Sequence, residues 1–249
     1  MDPKINFDDL PNLITNLDDK IISDTPIIDL SHGLSEKVQF NFTNILNKIM
    51  SKRVFIFDLE TTGLFDKKNY YKYWSNEVFD PARIVEIGYY YSDNFGNDLE
   101  SNNIIHSYLR KPTDFDYIHP KAEEKHKITI EKLKSDGYKF SQILNTDLMN
   151  KLTNSDYIIS HNTLFDFYIL LNELNRFKLK NTIKHLLEIK KSNNLLCTCR
   201  ASGFKSLENL YKIIFNQMPN VSHRAGEDVQ TLIEIILKTK LDINYKFKL

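Results

Sequence analysis

Cysteine is nearly absent from this chain, which carries only Cys197 and Cys199. Their Cys-Thr-Cys spacing is too tight for an ordinary disulfide, and two thiols are too few for a structural zinc site, so reduced, buried thiols are expected. Net charge is absent too. The 33 Lys and Arg balance the 33 Asp and Glu, so no global field draws the protein to nucleic acid, and any polyanion must be held locally. No apolar run is long enough to span a bilayer, and the acidic start, Met-Asp-Pro-Lys-Ile-Asn-Phe-Asp-Asp-Leu, lacks the apolar stretch of a signal peptide. The expectation is a soluble intracellular protein of cytoplasm or nucleus, neither secreted nor membrane-bound. No internal repeat is visible. What remains, 249 residues at 41% hydrophobic, suits one globular domain with an appendage.

Residues 1–34 mix Asp, Asn and Pro without a sustained period, and Val38, Phe40, Ile45, Leu46 and Ile49 then form a helical stripe. Together they predict a partly ordered N-terminal extension, residues 1–50, with one helix. Apolar runs at 53–60, 83–92 and 103–110 read as three successive strands. Helical periods follow at 121–135 and 140–152, then a strand at 157–160 and a strongly apolar helix over 163–175. A helix at 182–190, a strand at 195–199 and helices at 206–215 and 225–238 complete the series. This order predicts an α/β domain, residues 51–240, built on a five-stranded mixed sheet flanked by helices, with a tail at 241–249. Residues 65–81 read as an inserted loop. Its Tyr70, Tyr71, Lys72, Tyr73 and Trp74 suit either base stacking or packing on the domain.

Three stretches carry candidate chemistry. In Val-Phe-Ile-Phe-Asp-Leu-Glu-Thr-Thr-Gly, strand alternation puts Val54, Ile56, Asp58 and Glu60 on one side, so two carboxylates converge at the strand's end. The plainer reading is a strand ending in solvated acids. In Ser-His-Asn-Thr-Leu-Phe-Asp-Phe-Tyr, Asp166 sits in the first turn of a helix apolar on nearly every side. An acid there costs several kcal/mol unless it is paired, bonded or near a metal, against about 0.3–1 kcal/mol offered by the helix terminus. Capping of local amides is the alternative. In Val-Ser-His-Arg-Ala-Gly-Glu-Asp-Val, Asp228 borders the apolar stripe of Val229, Leu232, Ile233, Ile236 and Leu237. His223, five residues earlier, would lie about 140° away on a continuous helix. It therefore belongs to the approach loop, as a base leaning over the site or as a surface residue.

Taken in order, Asp-x-Glu on the first strand, a buried Asp after a later strand and His-x-x-x-x-Asp on the last helix make the chain resemble the DEDD superfamily of 3′-to-5′ exonucleases. The His-containing pattern resembles its DEDDh branch, which includes DnaQ-type proofreading subunits, ribonuclease T and oligoribonuclease. Arg-Ile-Val-Glu-Ile-Gly around Glu86, the stretch from His126 and Ser-Leu-Glu-Asn-Leu support the alignment. Two departures occur: the family often has His-Gly-Ile-Thr where this chain has His126-Lys127-Ile128-Thr129, and Asp-Thr where it has Cys197-Thr198.

The resemblance implies a ribonuclease H-like fold and two Mg²⁺ or Mn²⁺ ions held by Asp58, Glu60, Asp166 and Asp228, with His223 as general base. It also implies that Thr61, Thr62, Gly63 and Leu64 line the terminal-nucleotide pocket, with Leu64 wedged against a base. Asn162 is expected to cap its helix or to touch substrate. The implied substrates are single-stranded DNA or RNA 3′ ends, released as nucleoside 5′-monophosphates, with oligomeric state open and a homodimer among the options. Two rivals share the fold: a non-catalytic module that grips nucleic-acid ends or a protein partner, and a ribonuclease H-like endonuclease lacking the loop histidine.

Overall fold

The computed structural model describes residues 36–97, 104–219 and 223–246. The expectations for residues 1–34, for the start of the third strand at Asn103 and for the last three residues of the tail lie outside them. Five strands form one mixed sheet, as the sequence predicts, and they lie in the order β3-β2-β1-β4-β5. β1 (Val54–Thr61) pairs antiparallel with β2 (Ile84–Ser92), which pairs antiparallel with β3 (His106–Leu109). On its other edge β1 runs parallel to β4 (Tyr157–Ser160), and β4 runs parallel to β5 (Leu195–Cys197).

The alternation of β1 divides the core between the two faces. Phe55, Phe57 and Leu59 pack with α7 (Thr163–Arg176) and α8 (Lys180–Lys191). Val54 and Ile56 pack with α1 (Glu36–Ile49), α10 (Leu207–Phe215) and α11 (Ala225–Lys246). Each such residue, fully buried, contributes roughly 1.5–3 kcal/mol of transfer free energy. Val38, Phe42, Ile45, Leu46 and Ile49 of α1 belong to the second cluster. The expected boundary at 50 thus separates elements that share one core, and the expected boundary at 240 falls within α11.

Three local readings are corrected by the structure. The period over 121–135 is broken into α3 (Pro120–His126) and α4 (Ile130–Asp136), because Lys127 turns left-handed at φ 57° and the Thr129 side chain caps α4. This is the position where the family that the chain resembles often carries glycine, the residue that adopts such angles without strain. The period over 140–152 likewise splits into α5 (Phe140–Leu144) and α6 (Leu148–Asn154). β5 stops at Cys197, and the short α9 (Thr198–Ala201) begins at once, so both cysteines are free and only half-buried rather than buried.

The insert packs onto the domain. It contains a 3₁₀ turn (Lys67–Asn69) and α2 (Asn76–Phe79), and it buries Phe65, Tyr73 and Phe79 in the first cluster. The Tyr70 ring meets Tyr168 edge-on at 5.0 Å, and Asn172 Nδ2 donates to the Tyr73 carbonyl at 2.8 Å. Behind it a buried ionic network joins α7 to the β2–β3 side: Glu173 pairs with Arg83 at 2.7 Å and Arg110 at 2.5 Å, and Asp114 caps both guanidinium groups. Burial alone would push the Glu173 carboxyl up, but Arg110 and Arg83 hold it below the usual range.

Candidate active site

Unequal strand lengths make the site. The pairs Val54↔Tyr157, Phe55↔Ile158 and Ile56↔Ile159 put Asp58 just past the level at which β4 ends. The chain after β4 therefore turns across the end of β1. It is fixed there by Thr163, whose hydroxyl lies 2.9 Å from the Ser160 carbonyl and 2.7 Å from that of Leu196. That turn delivers Asp166, which is buried and accepts from the Ser160 hydroxyl at 3.4 Å. The Leu59 backbone also bonds to it. Asp166 is thus held beside Asp58 from the opposite face of the sheet.

From the other side, α11 brings Asp228. Its apolar stripe, Val229, Leu232, Ile233 and Ile236, is buried, and its first residues press on β2. A Cβ at Gly88 would stand 2.3 Å from the Ala225 carbonyl carbon, so only glycine permits this approach. Carboxylate oxygens of Asp58, Glu60 and Asp228 all lie within 4.8 Å of one another, close enough to share a cation.

Crowding shows in the electrostatics. Burial pushes Asp58 well above the usual carboxylate range, and the charges of Asp166, Asp228 and Glu60 push it further. Burial likewise raises Asp166 well above its ordinary value against the pull of its hydrogen bonds. Glu60 rises to about 8 and Asp228 to about 6, in both cases chiefly through burial. Four acids of three chain segments thus oppose one another's ionisation. An all-oxygen, anionic donor set of this kind fits hard divalent cations such as Mg²⁺ or Mn²⁺.

His223 lies in the loop before α11, as expected, with a left-handed backbone (φ 52°). Such a conformation costs a non-glycine residue on the order of 1–3 kcal/mol. Its Nε2 lies 3.2 Å from Glu208 Oε1, at the start of α10. Burial and then Lys125 lower its pKa, while Glu208 raises it.

The other expected residues divide. Leu64 is 72% exposed, whereas Thr61, Thr62 and Gly63 form a buried turn. The Thr61 hydroxyl donates to the Gly63 carbonyl at 2.9 Å and that of Thr62 to the Pro81 carbonyl at 3.0 Å, so neither is free to reach outward as a donor. A Cβ at Gly63 would come within 2.9 Å of the Pro81 oxygen. Asn162 stands at the N-cap of α7 with φ 69°, but its exposed side chain makes no capping bond. The capping expectation fails: the Asn162 side chain bonds no helix amide, and the Thr163 hydroxyl ties the helix entrance to the Ser160 and Leu196 carbonyls.

Sequence reasoning did not single out Lys125, in the last turn of α3, whose charge favours ionisation of all four acids. Its neighbour His126 is buried and uses Nε2 on the Thr61 carbonyl at 3.2 Å, while Nδ1 accepts from the Ile128 amide at 3.0 Å. This bond, with that of the His119 amide to the Thr62 carbonyl at 2.7 Å, anchors α3 beside the turn that follows the acid pair. No signal in the sequence pointed to Lys125, an exposed lysine on a charged helix.

A family model described as an exonuclease, RNase_T, matches residues 55–236. No curated protein matches. Among solved structures, E. coli Exonuclease I in complex with a dT13 oligonucleotide is 18% identical, with a TM-score of 0.52 over 79% of this chain and 43% of that one. The zinc-bound form of the E. coli ExoI–ssDNA complex is 14% identical, with a TM-score of 0.47 over 80% and 43%. An Exonuclease I from Methylocaldum szegediense is 18% identical, with a TM-score of 0.34 over 47% and 22%. This chain spans less than half the length of each. The likeness to the first supports a shared fold, the ribonuclease H-like arrangement of a mixed five-stranded sheet between helices.

Proposed function

The chain belongs to the exonuclease family whose model spans residues 55–236, and from that premise we propose that it is a metal-dependent 3′-to-5′ exonuclease of the DEDDh branch. Its substrates are single-stranded DNA or RNA ends, and its products are nucleoside 5′-monophosphates. The observation that carries this reading is the meeting of Asp58, Glu60 and Asp228 within 4.8 Å, with the buried Asp166 near enough for its charge to push Asp58 up. A fold relative was solved with dT13, which makes single-stranded DNA the first substrate to test.

In this reading Asp58, Glu60, Asp166 and Asp228 hold two Mg²⁺ or Mn²⁺ ions. When bound, the pair supplies Lewis-acid polarisation of the phosphoryl oxygens and lowers the pKa of the attacking water. His223 receives that water's proton; its lowered pKa keeps the imidazole neutral at physiological pH. Lys125 holds positive charge at the mouth, where it favours the ionised carboxylates and attracts substrate phosphate. Exposed Leu64 meets the terminal base, Gly63 allows the tight turn that presents it, and Thr61 and Thr62 shape that turn through their internal bonds. Asn162, free of capping, faces incoming substrate.

The test uses 5′-labelled single-stranded DNA and RNA with Mg²⁺, Mn²⁺ or chelator. Wild-type protein should give ladders shortening from the 3′ end only with metal. Asp58→Ala should be inactive, and His223→Ala should lose about 10²–10⁴-fold in kcat. Longer internal fragments would instead indicate an endonuclease, and no metal-dependent hydrolysis at all a binding module. An undiminished rate for His223→Ala would remove the histidine from the chemistry.

A further inference from the structure

The two residues that lead into α11 are pulled in different directions by two carboxylates. Arg224 reaches β2, where Nε and Nη2 donate to Glu86 at 2.9 and 2.7 Å. Glu86 also accepts from the Ala225 amide, the first of α11, at 3.1 Å, and from the Ser107 hydroxyl of β3 at 2.8 Å. It is 1% exposed and stands directly opposite Glu60 in the β1–β2 register. Two positions further on the same face of β2, Gly88 gives Ala225 its close seat. His223 meets Glu208 of α10 at 3.2 Å. Between these anchors the backbone of His223 is left-handed, a conformation that persists only where its surroundings over-determine it.

We propose that Glu86 and Glu208 are positioning residues that clamp the His223–Arg224 turn from two sides, Glu86 through Arg224 and the first amide of α11, Glu208 through the imidazole. This rests on the exonuclease reading for its catalytic meaning, though not for its geometry. An ionised carboxylate only accepts, so the ring nitrogen facing Glu208 carries the hydrogen. The other nitrogen then keeps the lone pair that a base requires. When the attacking water gives up its proton, that nitrogen receives it, and the imidazolium so formed faces an anion. Glu86, meanwhile, fixes the start of α11, so that His223 and Asp228 keep their distance from Glu60 on the adjoining strand.

The clamp predicts opposite behaviour for two isosteric variants. Among the described residues, the charged groups acting on the His223 ring are Lys125 of α3 and Glu208 of α10. Ring resonances are followed by NMR titration in chelator, with His223 assigned by its disappearance in His223→Ala. Glu208→Gln removes the anion but not the shape, so the His223 midpoint should fall by about 0.2–0.7 unit, the scale of a partly exposed ion pair. Glu86→Gln releases the turn, so the midpoint should rise toward the value of about 6.5 of free imidazole. In the nuclease assay each variant should lose about 10–100-fold in kcat with little change in KM, and Glu86→Asp should recover part of the Glu86→Gln loss.

A His223 midpoint unmoved in Glu208→Gln, or moved the same way in both variants, overturns the clamp. So does wild-type kcat in either variant. Wild-type protein that hydrolyses nothing overturns the exonuclease reading instead, and the titration still decides the clamp. Circular dichroism guards against misfolding of the buried Glu86 variant, and Glu208→Gln, at a site 38% exposed, carries the test if that variant does not fold.

Discussion

Removing divalent metal should make the carboxylate cluster the pH-sensitive weak point of the fold. Glu60 rises from the ordinary 4.5 to about 8, chiefly by burial and with Asp228, Glu86 and Asp166 adding to it. A carboxyl whose folded pKa is raised contributes stability that is complete below its unfolded value and is lost as pH climbs through the folded one. The window is therefore about pH 4.5 to 8, with Asp228, raised to about 6, losing its share earlier. At about 1.4 kcal/mol per unit, Glu60 alone corresponds to roughly 3–5 kcal/mol, a large part of the roughly 5–15 kcal/mol that holds a typical domain. For a domain of this size that is a fall in Tm on the order of 6–20 °C between pH 5 and 8.5. Saturating Mg²⁺ or Mn²⁺, which binds the folded chain, should raise Tm and flatten the slope. Thermal melts followed by circular dichroism, in chelator and in metal, measure both effects. Asp58→Asn deletes one repelling charge, so in chelator at pH 8 it should melt above wild type while losing activity. A chelated Tm that stays level across this range, or an Asp58→Asn protein no more stable than wild type, would refute the reasoning.

Other perturbations test the frame and the mouth of the site. Glu173→Gln leaves two buried guanidinium groups short of their anion and should cost about 3–5 kcal/mol in urea denaturation; a loss under about 1 kcal/mol would show that Asp114 suffices. Gly88→Ala should lower stability by about 1–3 kcal/mol and depress kcat, because α11 must retreat to admit the methyl. A fully active Gly88→Ala would detach the seat of α11 from the chemistry. Lys125→Ala withdraws the charge that favours ionisation of all four acids, so the acid limb of the activity profile should move to higher pH, and no movement would exclude it from the site's electrostatics.

The parts of the fold written in local periodicity were legible. Alternation along β1 assigned Phe55 and Phe57 to one core cluster and Val54 and Ile56 to the other, as found. Asp166 stood out because an acid amid Leu164, Phe165, Phe167 and Tyr168 demands a reason. Other features depend on contacts between distant segments. Glu86 and Glu208 entered only as marks of alignment, although a lone acid inside the run Ile84-Val85-Glu86-Ile87 carries the same demand for a partner, met here by Arg224 from 138 residues away. The period over 121–135 concealed a break because Lys127 adopts an angle that its own type does not advertise. Asn162 was misjudged for the opposite reason. It has the chemistry of a cap, but at φ 69° its side chain stands exposed and bonds no helix amide, while the Thr163 hydroxyl ties the turn to the Ser160 and Leu196 carbonyls.

The early end of β4 has a consequence for how this protein can vary. Asp166 reaches Asp58 because a fixed count of residues separates Ser160 from the first turn of α7. One residue inserted or deleted there would swing the carboxylate about 100° around the helix axis and carry it out of reach, with every side chain still present. Substitutions at the exposed Asn162 leave that count intact. In this linker the count of residues, rather than the identity at the exposed Asn162, decides where Asp166 falls.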